Sequence, residues 1–300
     1  MRPVLRPEGL AEPLAIEGLA SLPDVLIEPV VRAALVEDLG RAGDIITQSV
    51  VPGSAMAKGV IAARQPGVVA GIDCALAAFR LIDSGVILTI HQGDGSPVRP
   101  GDVVASLAGP ARAVLMAERV ALNFLCHLSG VATATRGLVD AVQGHKAKIT
   151  CTRKTMPGLR ALEKHAVRAG GGTSHRFGLD DGILIKDNHI IAAGGIERAV
   201  ERARRAIGHM VKIEVEVESL AELGQALAAE VDAVLLDNMN VETLKKAVAM
   251  IDGRAISEAS GRVTRDTVAA IAATGVDVIS AGWITHSAPA LDLGLDFECS

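Results

Sequence analysis

KIEVEVE, residues 212–218, alternates apolar Ile213, Val215 and Val217 with acidic Glu214 and Glu216, which is the period of a β-strand whose two faces meet different surroundings. Other short apolar runs in the second half of the chain also end in a polar or charged residue: KITCTRK (148–154), ILIKDN (183–188), AVLLDN (233–238), AISEAS (255–260) and VDVISAGW (276–283). Stretches long enough for one helix each lie between the runs, so strands and helices alternate as in an α/β barrel. Six runs where a full barrel has eight strands point to an incomplete (β/α) barrel. Helices cover a barrel's outside, which turns the Ile/Val set of 212–218 outward and its glutamates inward near the rim; an edge strand facing water would give the same alternation. Barrel enzymes carry their sites at the C-terminal strand ends, here Arg153, Lys154, Lys186, Glu216, Asp237, Ser260 and Gly282. Carboxylates and cations gathered at one rim suit a ligand with strong negative charge and with hydroxyl groups or a metal. For Asp237 a helix cap is the competing assignment.

Upstream, the fold class reads as α/β, with an N-terminal open α/β sandwich preceding the incomplete barrel. Residues 1–23 carry four prolines and no sustained period, so they read as a loose arm. A helix is expected from Pro29 to near Gly40, and 41–47 reads as a loop. Short β-type runs follow at 58–63, 67–71, 86–90 and 102–109, with a helix around 76–82. A longer helix over 111–128 places Leu115, Leu122 and Leu125 on one stripe, and Arg119 falls on that stripe too. A guanidinium buried there needs an anionic partner that Glu118, facing another direction, does not supply, unless the side chain snorkels to water. The sandwich is expected over 24–128, the barrel over 129–288, and the amphipathic 289–300 is expected to fold back onto the sandwich.

Composition narrows the function. A net charge of −5 argues against general nucleic-acid binding, and with 2% aromatic residues and no Tyr, base-stacking platforms are almost missing. No uninterrupted apolar stretch reaches the ~18 residues of a membrane span, and the N-terminus lacks a signal-peptide core, so a soluble cytoplasmic protein is expected. Cys74, Cys126, Cys151 and Cys299 show no CxxC spacing, which argues against a zinc site or a disulfide framework. His127, His145, His165 and His209 lack partners at ligand spacing and read as structural or exposed. Neither GxGxxG nor GxxxxGK[ST] occurs, nor does a pair of acidic residues closing a strand before a Thr-rich loop.

Arg153 and Lys154 directly follow a strand and precede a Pro-Gly turn; adjacent cations repel, and a shared anion would relieve that cost. Arg160, Lys164 and Arg168, four apart, read as a solvated helix stripe. Gly170, Gly171 and Gly172 lead into Thr173, Ser174, His175 and Arg176, where bare backbone suits close approach to phosphate, although a helix C-cap explains part of the run.

The segments TRKTMPGLR (152–160), 163–190, EVEV (214–217), LLDN (235–238) and GWITHSAPALDLGLDF (282–297) closely resemble the quinolinate phosphoribosyltransferase family, over a region from 37–47 to the C-terminus. The resemblance implies condensation of quinolinate with 5-phosphoribosyl 1-diphosphate to nicotinate mononucleotide, CO2 and diphosphate in de novo NAD synthesis, with Mg2+ and no organic cofactor. It implies that Arg153, His175, Arg176 and Lys186 bind the quinolinate carboxylates and neighbouring phosphate, with Thr152 beside them, and that Lys154 meets the phosphoribosyl diphosphate. Glu216 and Asp237 would hold ribose hydroxyls and Mg2+; Ser260, Gly261, Gly282 and His286 would receive the 5-phosphate. Catalysis would fall to Lys154, Lys186, Glu216 and Asp237. The family's intersubunit arginine matches Arg119, which would reach the neighbouring site of a homodimer. In EASGRVT (258–264), Arg262 stands where many relatives have a second glycine. The competing readings are a relative acting on nicotinate or another ring acid, a barrel aldolase with Lys154 or Lys186 as Schiff-base nucleophile, and a non-catalytic anion binder.

Overall fold

This computed structural model describes residues 19–299. In chain order the first layer contains α1 (Asp24–Leu39), α2 (Ile45–Val50), β1 (Met56–Ala63), β2 (Gly67–Val68), α3 (Ile72–Ile82), β3 (Ile87–Ile90), β4 (Pro97–Val98), β5 (Val103–Pro110) and α4 (Ala111–Ala141). The second contains β6 (Lys148–Thr150), α5 (Arg160–Ala169), β7 (Ile183–Ile185), α6 (Asp187–Ala193), α7 (Ile196–Ala206), β8 (Ile213–Val217), α8 (Leu220–Ala228), β9 (Ala233–Asp237), α9 (Val241–Ile251), β10 (Ile256–Ser260), α10 (Val268–Ala272), β11 (Val278–Ser280) and α11 (Trp283–His286). The last strand, β12 (Leu293–Cys299), returns to the first layer.

The first layer is an antiparallel sheet in the order β12-β1-β5-β3. The chain's end folds back as expected, with Leu293 opposite Ala63 and Cys299 opposite Ala57. The second layer is a parallel sheet in the order β6-β11-β10-β9-β8-β7, so all six apolar runs are strands. Its edge strands do not pair with each other; instead Thr173, just before the His175–Arg176 loop, bridges to Thr150 in parallel and donates its N–H to the Ile149 carbonyl at 2.8 Å. The result is an incomplete barrel whose gap is partly closed by a loop.

Several boundaries differ from the sequence reading. α1 begins at Asp24 and carries Pro29 inside it, because Ile27, Val31 and Leu35 form one buried stripe whose burial outweighs the one backbone bond that proline removes. The expected loop at 41–47 ends in α2, whose N-cap Asp44 accepts the Thr47 N–H at 2.9 Å. Of the expected loose arm, 1–18 lie outside the described residues, while Leu19 and Leu22 pack against the core. α4 runs on to Ala141, far beyond its expected end at 128, so one rod carries both layers. By length and composition α4 could cross a membrane, but most of its apolar window is buried inside the fold.

The layers are also tied by side chains. Asp94 accepts the backbone N–H groups of Gly71 and Ile72 at 3.0 and 3.1 Å at the start of α3, and accepts from Nε2 of His165 on α5 at 2.8 Å. His127 on α4 donates to fully buried Glu163 on α5 at 2.8 Å, and Glu163 also takes the Met156 N–H at 3.1 Å. These two histidines are structural, as expected. Asp94→Ala would strip an interlayer bond and two helix-end acceptors together, and should lower unfolding free energy by about 3 kcal/mol in denaturant titration; a change within error would show that the layers do not depend on it.

Candidate active site

The C-terminal ends of the parallel strands open into one cleft of about 780 Å³. Arg153 and Lys154 follow β6, Lys186 follows β7, Glu216 lies on β8, Asp237 ends β9, Ser260 ends β10 with Gly261 after it, and Gly282 follows β11; all line the cleft. Thr152, His175, Arg176 and His286 line it as well. Every site residue named from the sequence is therefore brought together except Arg119. That side chain is 64% exposed and lies 4.0 Å from Glu118, so it projects to solvent within this chain and is not buried in the apolar stripe. The one-residue offset is visible in the burial of its neighbours, Val120 and Leu122, while Leu115 is only half buried.

Local hydrogen bonds aim the cations. Thr152 Oγ1 accepts the Lys154 N–H at 2.9 Å, and Thr285 Oγ1, beyond β11, donates to the Lys154 carbonyl at 2.8 Å, which fixes that turn across the sheet. Lys186 donates to Glu216 across the β7–β8 edge. Burial, and Arg153 beside it, lower the pKa of the Arg176 guanidinium, so the two arginines repel each other across the cleft. Arg153 Nε is buried and finds no hydrogen-bond partner among the described residues, and the same holds for Glu258 Oε1 and Ser280 Oγ.

The expected solvated stripe on α5 is not one. Lys164 is buried, and its Nζ donates to the His175 carbonyl and to Cys151 Sγ, each at 3.1 Å. Arg160 donates to Thr155 Oγ1 at 3.1 Å, to the Phe177 carbonyl at 3.2 Å and to the Arg153 carbonyl at 3.4 Å. Only Arg168 faces water, because the first two turns of α5 lie under the loops after β6 and Thr173, where free carbonyls need donors. The three glycines likewise serve the fold, Gly170 and Gly172 through close packing and Gly171 through its φ of 89°. A Cβ on Gly170 would meet the Ala132 carbonyl of α4 at 2.4 Å, and none of Gly170, Gly171 and Gly172 lines the cleft.

Behind the cations sits a cluster the sequence reading did not single out. His175 Nε2 donates to Glu214 on β8 at 3.1 Å and lies 3.4 Å from Glu258 on β10, with β9 between the two strands. Burial alone would lower the pKa of His175, but the hydrogen bonds and charges of Glu214 and Glu258 push it up to about 10. Burial in turn raises the Glu214 pKa, against the pull of His175. Nδ1 accepts the Arg176 backbone N–H at 2.7 Å, so the observed geometry is that of the Nε2–H tautomer, and a second proton enters only by breaking that bond. The Arg176 amide thus opposes the second protonation that the two glutamates favour.

The signal for Glu258 was present in AISEAS, since it shares a strand face with Ser260. Asn238, after Asp237, was also missed. Its Nδ2 donates to Asp237 Oδ2 at 2.6 Å, its N–H donates to the Ser260 carbonyl at 2.9 Å, and a Cβ on Gly261 would meet its Oδ1 at 2.3 Å. Gly261 has φ of 96° and Arg262 φ of 49°, so the second position also adopts the left-handed conformation that glycine takes most easily. Two sets of oxygen and nitrogen donors could hold a cation: Glu216 with Asp237 at the rim, and His175, Glu214 and Glu258, whose ligand atoms lie within 4.8 Å of one another.

Comparison with known proteins agrees with this layout. The family model for the quinolinate phosphoribosyl transferase C-terminal domain matches residues 131–296, and that for the N-terminal domain matches 44–129. The chain is 45% identical over 264 residues to the probable nicotinate-nucleotide pyrophosphorylase [carboxylating] of Bacillus subtilis, covering 88% of this chain and 91% of that one. It is 45% identical over 271 residues to the nicotinate-nucleotide pyrophosphorylase [carboxylating] of Mycobacterium leprae, covering 89% and 95%. The solved structure of the nicotinate-nucleotide pyrophosphorylase from Francisella tularensis superposes with a TM-score of 0.90 at 39% identity, over 93% of this chain and 99% of that one. The chain belongs to the quinolinate phosphoribosyltransferase family.

Proposed function

We propose that the cleft joins quinolinate to the phosphoribosyl group of 5-phosphoribosyl 1-diphosphate, releasing diphosphate and CO2 and leaving nicotinate mononucleotide for de novo NAD synthesis. The observation that carries this reading is the convergence of Arg153, Lys154, Arg176 and Lys186 in one cleft of a chain whose net charge is −5. Such a field suits two anionic reactants that repel each other in water. Arg153, Arg176 and Lys186 take the ring carboxylates, Lys154 the diphosphate, and Thr152 holds the turn that presents Lys154. Ser260, Gly261, Gly282 and His286 form the 5-phosphate end.

The ring nitrogen attacks the anomeric carbon as diphosphate leaves, through an oxocarbenium-like transition state whose departing charge falls on the cations. The positive charge on the alkylated nitrogen then stabilises the carbanion left when the adjacent carboxylate departs as CO2, and that carbon takes up a proton. No organic cofactor is needed. Glu216 and Asp237 fit a hard divalent cation and the ribose hydroxyls: both offer oxygens at the ends of neighbouring strands, and Asp237 is paired only with a neutral amide among the described residues. Mg2+ bound there with the diphosphate would offset the charge of the leaving group.

The active form we propose is a homodimer in which Arg119 reaches the neighbouring cleft. Its exposure supports this, as do the exposed apolar side chains Val36, Ile45, Ile46 and Val50 on α1 and α2. Free Cys74, Cys126, Cys151 and Cys299 suit a reducing, cytoplasmic setting.

Purified protein given quinolinate, phosphoribosyl diphosphate and Mg2+ should form CO2 and nicotinate mononucleotide in equal amounts, and chelation of Mg2+ should stop it; equal use of nicotinate would move the assignment to a monocarboxylate enzyme. Arg153→Ala should cut kcat/KM for quinolinate by about 100-fold, the scale of a lost charge-assisted pair. Arg119→Ala and Lys154→Ala proteins, each nearly inactive alone, should regain part of the wild-type rate when mixed, and complete absence of recovery would count against a shared site.

A further inference from the structure

Both ring nitrogens of His175 are already in use. Nε2–H is directed at Glu214 and Glu258, at 3.1 and 3.4 Å, and Nδ1 accepts the Arg176 N–H at 2.7 Å. The His175 carbonyl is held as well, by the Nζ of buried Lys164. A ring committed in this way has no N–H left to offer a carboxylate in the cleft. The neighbouring guanidinium does: Arg176 lines the cleft with one contact, from Nη1 to the Gly182 carbonyl at 3.4 Å, and its other donors remain for a ligand.

Glu214 and Glu258 are otherwise hard to justify. Each is buried, each costs desolvation, and each lies beside a site for anions, where its charge opposes binding. Their shared contact is His175.

We propose that Glu214 and Glu258 are positioning residues for the ring acid: by holding Nε2–H of His175 they keep Nδ1 on the Arg176 amide, and so set the aim of the Arg176 guanidinium. Lys164 braces the same residue through its backbone carbonyl. His175 then acts through Arg176 and not on the ligand. The inference rests on the reading of the cleft as a quinolinate site, and it adds a rule for how that site is kept rigid: preorganised arginine loses less freedom when it binds a planar dicarboxylate.

The sign of one measurement separates this from plain electrostatics. Removing a negative charge beside an anion site should tighten anion binding if the carboxylates act only through their field. If they position Arg176, Glu258→Gln should instead raise the dissociation constant for quinolinate by about tenfold, the scale of a lost hydrogen bond to a charged group. Calorimetry with phosphoribosyl diphosphate should show no change in the same protein. Unchanged or tighter quinolinate binding would overturn the proposal. Glu214→Gln carries the same expected sign should the first variant fail to fold. Nitrogen-15 spectra of the histidine ring in the ligand-free wild type give a reading independent of turnover: Nε2 protonated and Nδ1 bare is expected, and a bare Nε2 or a proton on Nδ1 overturns the proposal. A divalent metal bound to wild type and lost in Glu258→Gln would overturn it too, since the trio would then be a metal site. Failure of the wild type to turn over quinolinate while these nitrogen signals stand would instead indict the functional reading.

Discussion

Like charges forced together are the constraint on which the rest of this structure depends. Arg153 and Arg176 share one cleft with Lys154 and Lys186, and the proximity is costly enough to lower the Arg176 pKa along with burial. Such an arrangement persists only if the backbone that carries the cations is held from elsewhere. Opposite charge is supplied in two places. Glu216 meets Lys186 at the rim, and Glu214 with Glu258 meets His175 beneath it. The cleft is thus neither simply basic nor simply neutral. Cationic groups face the space, and the acids stand to their side or behind them.

The scaffold explains how residues so distant in sequence stay registered. Parallel strands put their C-terminal ends on one rim, and the register of β8, β9 and β10 aligns Glu216 with Leu235 and Asp237 with Ser260. The sheet's open edge is bridged at Thr150 and Thr173, which delivers His175 and Arg176 to the side where Arg153 and Lys154 emerge. α5 lies beneath both loops and supplies the donors, Arg160 and Lys164, that their carbonyls need. α5 is itself fixed to the first layer through His165 and Asp94, and to α4 through Glu163 and His127. A path of buried polar contacts therefore runs from the antiparallel layer to the arginines.

How much of this was legible in the sequence depends on what periodicity can and cannot express. Alternation in KIEVEVE located Glu214 and Glu216 inside, and the polar ends of the six runs located the rim, because strand direction alone decides both. Helix periodicity was a poorer guide. Arg160, Lys164 and Arg168 have the spacing of a wet stripe, yet the turns that carry Arg160 and Lys164 are roofed by loops whose carbonyls only tertiary structure reveals, and Arg168 alone stays in water. Gly170 looked like a phosphate cradle and proved to be the point where α5 closes on α4, a contact between segments far apart in sequence. Arg119 fell on an apolar stripe by count, but the helix turns it just past the buried edge. α4 runs past its expected end at 128 through Ser129, Gly130, Thr133 and Thr135, all weak helix formers; Thr133 and Thr135 return their hydroxyls to the carbonyls of Ser129 and Val131 at 2.7 and 2.8 Å, and packing supplies the remainder.

The central claim is that the arginines after β6 and beyond Thr173 together receive a planar diacid while the histidine behind them stays bound to its glutamates. A crystal structure with quinolinate soaked into the protein tests it directly. The account predicts the two ring carboxylates on Arg153 and Arg176, with His175 Nε2 still facing Glu214 and Glu258. A ring acid seated away from both arginines, or held by a His175 that has left its glutamates, would contradict it.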